Sequence, residues 1–229
     1  MNIFLTGHSS GFGKALALYC LDNNLRVFGL SRSELNNQKI IQEKCAFEKL
    51  ELIPNALRKL KISKTLDLVI LNAAELGTFI EFEQQKVADI KRVLDVNTWS
   101  NKIIIDFLIE SKIKIDQLIF ITSGASQRNE SGWESYSISK LVVNKFAVLY
   151  ANLLKETHVC ALSPGIIDTK MQHKLRDLDS MRFPSLDKLK KAHKENRVPS
   201  AKVTAKLLFS KLDNLRQYES GSVVSLKDL

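Results

Sequence analysis

The sequence predicts an α/β fold: a doubly wound parallel sheet of about seven strands, flanked by helices on both faces in three layers. Two observations carry this. Short, nearly continuous apolar runs such as LVIL and LIFI recur along the chain, the pattern of strands covered on both faces. Longer segments with helical spacing separate them, and strand–helix–strand order repeated along a chain builds the crossover units of a parallel sheet.

The expected strands are Ile3–Thr6, Arg26–Leu30, Leu68–Asn72, Gln117–Thr122, His158–Leu162 and Ser222–Leu226, with a weaker one at Cys45–Phe47. Between them, Gly13–Asp22 reads as a helix through Ala15, Leu16, Leu18 and Tyr19. Asn55–Leu60 is a shorter helix, Val87–Asp95 and Ser100–Ser111 follow one another, Ser135–Lys155 is long, and Lys202–Leu212 precedes the last strand. The stretch from about Lys170 to Pro199 stands apart. It is charged, contains Pro184 and Pro199, and falls between a strand and a helix. We expect a substrate loop or lid at about 170–199; the plainer reading is a solvated helical excursion through LDKLKKAHKENR. No repeat or flexible linker divides the chain, so residues 1–229 read as a single catalytic domain.

Hydrophobic residues make up 45% and charged residues 26% of the 229, an ordinary globular balance. The net charge is +9. Such a charge can attract nucleic acid, anionic lipid or phosphorylated ligands. The lysines are spread along the chain, however, and neither basic–aromatic interleaving nor a recognition-helix pattern occurs. We expect no nucleic-acid partner and no membrane partner. Cys20, Cys45 and Cys160 are far apart and show no metal-ligand spacing with His8, His158, His173 or His193. They read as core thiols in a reducing compartment, with no metal site. The opening MNIFLTG runs straight from a short apolar segment into a glycine loop, unlike a secretory leader. The expected location is cytoplasmic.

Residues 3 to 13 read IFLTGHSSGFG. Glycines between a strand and a helix permit a tight turn and let the backbone approach a pyrophosphate at the helix N-terminus. Gly7, Ser10, Gly11, Phe12 and Gly13 are therefore candidates for cofactor binding in a Rossmann-type fold. At the end of the second strand, FGLSRSE places Ser31 where an NAD-binding site would carry an acidic residue, and Arg32 follows. An arginine fork can hold a 2′-phosphate that a carboxylate would repel. NADP(H) is the expected cofactor, with NAD(H) left open; Ser10 and Ser33 can add hydroxyl contacts.

Tyr136 and Lys140 lie four residues apart in SYSISK, a spacing that puts both on one helix face. A phenol has an ordinary pKa near 10, and a nearby ammonium is expected to lower it towards working pH. Ser123 ends the strand QLIFITS thirteen positions earlier. At the carboxyl end of a strand it faces the crevice where α/β ligands bind, able to hold a substrate oxygen as charge develops.

The T-G-x-x-x-G-x-G start and the order serine, tyrosine, lysine together resemble the short-chain dehydrogenase/reductase family. The resemblance implies that Tyr136 delivers a proton to a carbonyl oxygen, that Lys140 lowers its pKa and bonds the nicotinamide ribose, and that Ser123 orients the substrate. It implies that Asn97, in LDVNTWS, supports a water-linked proton path to Lys140, although a helix-breaking or capping role fits the same residue. Within LNAA, Asn72 and Ala73 match the family's segment after the fourth strand, whereas Leu71 and Ala74 depart from it. SPGIIDT resembles the segment near the nicotinamide amide, so Pro164, Gly165, Ile166 and Thr169 join the cofactor set, the Ile166 backbone and Thr169 hydroxyl bonding the carboxamide. The family usually has an aspartate after its third strand, near the adenine; KCAFEKLE has none, and Ala46 or Phe47 occupies the region.

The implied function is NADPH-dependent hydride transfer between nicotinamide and a small carbonyl or alcohol substrate, by a homodimer or homotetramer paired through its long helices. The alternative is a non-catalytic NADP(H)-binding sensor or scaffold. Residues 125–134, with Trp133, and the 170–199 segment are expected to line the substrate pocket, and Lys174, Arg176 and Arg182 are compatible with an anionic substrate.

Overall fold

The computed structural model describes residues 1–128, 131–179, 181 and 183–229. The chain begins with β1 (Asn2–Thr6), turns through the glycine loop into α1 (Gly11–Asp22), and returns as β2 (Arg26–Ser31) and β3 (Ile41–Lys44). α2 (Ile53–Lys59) leads to β4 (Thr65–Leu71). α3 (Val87–Leu94) and α4 (Ser100–Glu110) follow, then β5 (Lys114–Ile121), α5 (Glu134–Leu153) and β6 (His158–Ser163). α6 (Lys170–Arg176), α7 (Ser185–Lys194), α8 (Ala201–Ser210) and α9 (Leu212–Leu215) precede β7 (Val223–Ser225).

The seven strands form one sheet in the order β3-β2-β1-β4-β5-β6-β7, every pair parallel. This is the expected doubly wound Rossmann-type sheet. Alternation along each strand feeds both faces. Phe4, Leu118 and Phe120 join Leu57, Ile104, Leu108, Val143 and Ala147 on one side. Ile3, Leu5, Ile119 and Ile121 join Leu16, Cys20 and Leu208 on the other. Cys20 and Cys160 pack in one core and Cys45 in the other. Burial pushes the three thiols up to about 12, 12 and 11 respectively, so they are packing groups and not nucleophiles.

Three expectations need correction. The third strand is Ile41–Lys44, not Cys45–Phe47. It lies at the sheet edge, half-exposed, and an edge strand needs no apolar run. The helices expected separately at Val87–Asp95 and Ser100–Ser111 are joined by a widened π-helical turn, Asp95–Trp99. The 170–199 stretch is not simply solvated: α7 buries Leu186, Leu189 and Ala192, while Lys188, Lys191 and Lys194 are exposed. Among the described residues, no helix is long and apolar enough to cross a membrane.

The chain moves outward through β1, β2 and β3, then restarts at β4 on the other side of β1. The reversal between β1 and β4 opens a crevice at the carboxyl ends of the strands, where α/β folds bind ligands. The glycine loop, the Ser31–Arg32 turn, the segment at Asn72, Ser123 and the turn at Pro164 all lie at or just after the carboxyl ends of their strands.

Candidate active site

The glycine loop is welded to the switch point. Thr6 Oγ1 accepts from the backbone N–H groups of Asn72, at 2.9 Å, and Ala73, at 3.0 Å. The Asn72 amide donates back to the Thr6 carbonyl at 3.1 Å. Gly7 takes a positive φ of 71°. A Cβ on Gly13 would collide with the Gly7 carbonyl and the Asn72 amide, so helix α1 approaches the sheet as closely as it does only because residue 13 is glycine. Ser10 is the N-cap residue but makes no side-chain capping bond, and the first turn of α1 holds no acidic residue. The uncapped N–H groups and the positive end of the helix dipole are thus left for an anion. Phe12, by contrast, is buried in the core beneath the loop.

Across the crevice stands the turn after β6, containing Pro164, Gly165 and Ile166. A Cβ on Gly11 would touch only Thr169, at 3.7 Å, and a Cβ on Gly165 would meet nothing within 4 Å. The backbone at Gly165 therefore borders open space. At the end of β2 the Ser31 hydroxyl donates to the Ser33 carbonyl at 2.5 Å. Its proton is committed to that turn, while Arg32 is exposed. The glycine cradle, the free helix end and an exposed guanidinium beside the strand end fit a dinucleotide phosphate group.

His8 and Gln42 were not legible as site residues. The His8 ring is fully buried within the glycine loop, its Nε2 2.8 Å from Gln42 Oε1. Gln42 also bonds both the N–H and the carbonyl of Leu35, at 2.9 and 2.8 Å. The glycine loop and the Arg32 turn are therefore tied through one glutamine.

On the other side of the crevice, Ser123 caps a short 3-10 turn, its Oγ accepting from Ala125 N–H at 3.1 Å. The Ser123 hydroxyl also hydrogen-bonds the Tyr136 phenol, which favours the phenolate; burial outweighs it and pushes the phenol up to about 12. The expected lowering by the lysine is not found. Lys140 Nζ sits 5.5 Å from the Tyr136 ring centroid and donates to the Ile121 carbonyl at 2.8 Å. Burial brings the Lys140 ammonium down to about 8, which weakens it as a charge partner. One turn further along α5, Asn144 accepts from Thr122 and donates to Ser126, at 2.5 and 3.1 Å. It thereby braces both flanks of Ser123.

Asn97 is fully buried in the π-helical turn. Its Oδ1 accepts from Glu75 N–H at 2.8 Å, and its Nδ2 donates to the Glu75 carbonyl and to Ser139 Oγ, both at 2.9 Å. Ser139 Oγ in turn donates to the Tyr136 carbonyl at 2.7 Å. The side chain is thus fully engaged in holding the loop after β4 against α5, and the Asn97 carbonyl accepts from Asn101 Nδ2 at 2.9 Å. Ser123, Tyr136, Lys140 and Asn97 come together; the Arg32 end of the crevice is separate from them, as a dinucleotide requires. Arg182, and residues 129 and 130 of the 125–134 segment, lie outside the described residues.

A doubly wound sheet with a glycine cradle at its switch point and a serine–tyrosine–lysine set beside it defines a nucleotide-dependent oxidoreductase. The chain belongs to the short-chain dehydrogenase family, whose description matches residues 1–179, and it is an enzyme of that NAD(P)-binding, small-molecule-transforming class. It is 27% identical over 230 residues to a benzil reductase ((S)-benzoin forming) of Saccharomyces cerevisiae, covering 90% of this chain and 88% of that protein. Among solved structures, the KRED1-Pglu enzyme superposes with a TM-score of 0.85 at 21% identity, over 97% of this chain and 99% of that one. ElxO with NADP bound superposes with a TM-score of 0.78 at 20% identity, over 98% and 96%.

Proposed function

We propose that this enzyme reduces a carbonyl compound with NADPH, with Tyr136 as the proton donor. The observation that supports the reading is the placement of Tyr136: a buried phenol on α5 with Ser123 and Lys140 beside it, at the carboxyl end of the parallel sheet. A phenol carries its proton at neutral pH, as a donor must; burial makes that proton harder to give up, so its release depends on the charge of Lys140 when substrate is bound. When bound, NADPH supplies the hydride that adds to the carbonyl carbon, leaving NADP⁺. Ser123 holds the carbonyl oxygen, and Tyr136 protonates it as negative charge develops there. Lys140 bonds the nicotinamide ribose and, when charged, favours transfer of the phenolic proton. Asn97 fixes the height of α5 through Ser139.

The choice of NADP over NAD rests on Arg32 and on the lack of a carboxylate at Ser31. Gly7, Ser10, Gly11 and Gly13 take the pyrophosphate, and Asn72, Ala73, Pro164, Gly165, Ile166 and Thr169 line the nicotinamide half. Exposed Ile138, Leu141, Leu149 and Leu153 on α5, with Trp99, support pairing of two copies through the long helices. The name of the yeast relative states reduction of a carbonyl compound, which favours the same chemistry here. NADPH oxidation followed across a panel of ketones and aldehydes, with cofactor affinity measured alongside, tests the reading. Carbonyl-dependent oxidation supports it; tight NADPH binding without turnover of any carbonyl contradicts it.

A further inference from the structure

The imidazole of His8 reaches across one strand to meet a residue on the next. His8 lies in the glycine loop after β1, and Gly7 N–H ties that loop to the end of β2 through the Leu30 carbonyl at 2.9 Å. The ring folds back over Gly29, within β2: a Cβ there would lie 2.6 Å from His8 Nδ1 and 2.7 Å from Cε1. Gly29 does not take a positive φ, so glycine stands at this position for space and not for backbone freedom. Gln42, on β3, is the register partner of Gly29, and register partners present their side chains on the same face of a sheet. His8 Nε2 and Gln42 Oε1 lie 2.8 Å apart as a result, and the ring is fully buried.

Gln42 fixes the polarity of this contact. Its oxygen accepts from Leu35 N–H at 2.9 Å and its nitrogen donates to the Leu35 carbonyl at 2.8 Å, so turning the amide over would break both bonds. The oxygen must therefore accept from His8 as well, and the imidazole carries a proton on Nε2. His8 Nδ1 has no partner among the described residues. A fully buried ring with one nitrogen unpaired is a poor choice for packing alone; what the ring secures is the contact with Gln42. The consequence falls on Arg32. The stretch from Arg32 to Glu34 is bracketed by Ser31, whose hydroxyl donates to the Ser33 carbonyl at 2.5 Å, and by Leu35, clamped through both backbone groups by Gln42. Glu34, the carboxylate of that stretch, pairs with Lys44 at 3.5 Å, and Arg32 is exposed.

We propose that Gln42, oriented by His8, is a positioning residue for a 2′-phosphate: it holds the Arg32 turn in register with the glycine cradle, so that one nucleotide spans both, and it thereby sets the preference for NADPH over NADH. A guanidinium on a loose turn has to be ordered when the phosphate arrives. One on a clamped turn loses less affinity to that ordering. NADH shares every other part of the nucleotide, so a loosened clamp is felt through the phosphate alone. This rests on the NADP reading above.

Fluorescence titration of the full chain with NADPH and with NADH tests this. Gln42→Met keeps the length of the side chain and removes its hydrogen bonds. It is expected to weaken NADPH binding by roughly five- to tenfold and NADH binding by less than about twofold. In an Arg32→Ala background the same substitution is expected to change NADPH affinity by less than about twofold, because the clamp then has no guanidinium to place. His8→Leu lowers the preference for NADPH in the same direction. His8→Gln, whose amide N–H reaches to about the position of Nε2, restores it, and this pair decides even where Gln42→Met does not fold. A preference for NADPH undiminished in Gln42→Met or His8→Leu, whether neither nucleotide or both bind more weakly, overturns the inference. So does a full additional loss in the Arg32→Ala background, or a preference no better in His8→Gln than in His8→Leu. A wild type that binds the two nucleotides equally would instead count against the NADP reading, and the inference would fall with it.

Discussion

Lys140 Nζ donates a hydrogen bond to the Ile121 carbonyl inside the protein, at 2.8 Å. Burial lowers that ammonium from 10.5 to about 8, and this fixes the sign of two effects. As pH falls through 10.5 the unfolded chain takes up the proton first, so the native state loses stability down to about pH 8 and carries the full cost below it. Lys140→Met is therefore expected to stabilise the cofactor-free protein at neutral pH, by up to about 3 kcal/mol. Urea unfolding at pH 7 and pH 10 checks this; a variant less stable at pH 7 contradicts it. In the active enzyme, kcat/KM for reduction should fall as pH rises through about 8, when Lys140 loses its charge.

Arg32 stands exposed beside a turn whose Ser31 hydroxyl is already committed to Ser33. Removal of a charge-assisted phosphate contact costs about 1.5–3 kcal/mol. Arg32→Ala is expected to weaken NADPH binding roughly 10- to 100-fold and leave NADH binding unchanged. Fluorescence titration of both cofactors decides; equal loss for the two would remove Arg32 from the phosphate site.

Asn97, itself fully buried, makes three side-chain hydrogen bonds, two to the Glu75 backbone and one to Ser139. Asn97→Ala leaves those partners unsatisfied, at a cost of about 2–4 kcal/mol. A lowered urea midpoint is expected, together with a reduced kcat, since Ser139 no longer steadies α5 beneath Tyr136. An unaltered midpoint would show that water replaces the amide without cost.

Much of this was legible because the signals are local. The spacing of Gly7, Gly11 and Gly13 between an apolar run and a helix locates the cradle, and the four-residue step from Tyr136 to Lys140 places both on one helix face. Sheet strands with both faces covered announce themselves through runs such as Val69–Leu71. The edge strand Ile41–Lys44 does not, because all four of its residues are partly or fully exposed. The burial that raises the Tyr136 phenol was equally invisible: the spacing of tyrosine and lysine reports proximity, not how much water the fold removes. His8 and Gln42 carry no motif at all, since only the folded chain brings them together across the sheet from 34 residues apart.

The central claim, that the Tyr136 phenol is the proton donor, is tested most directly by Tyr136→Phe, which keeps the ring and removes the hydroxyl. Turnover of a carbonyl substrate with NADPH is expected to fall by roughly 10²- to 10⁴-fold, with NADPH affinity unchanged. Turnover equal to that of the wild type would contradict the account.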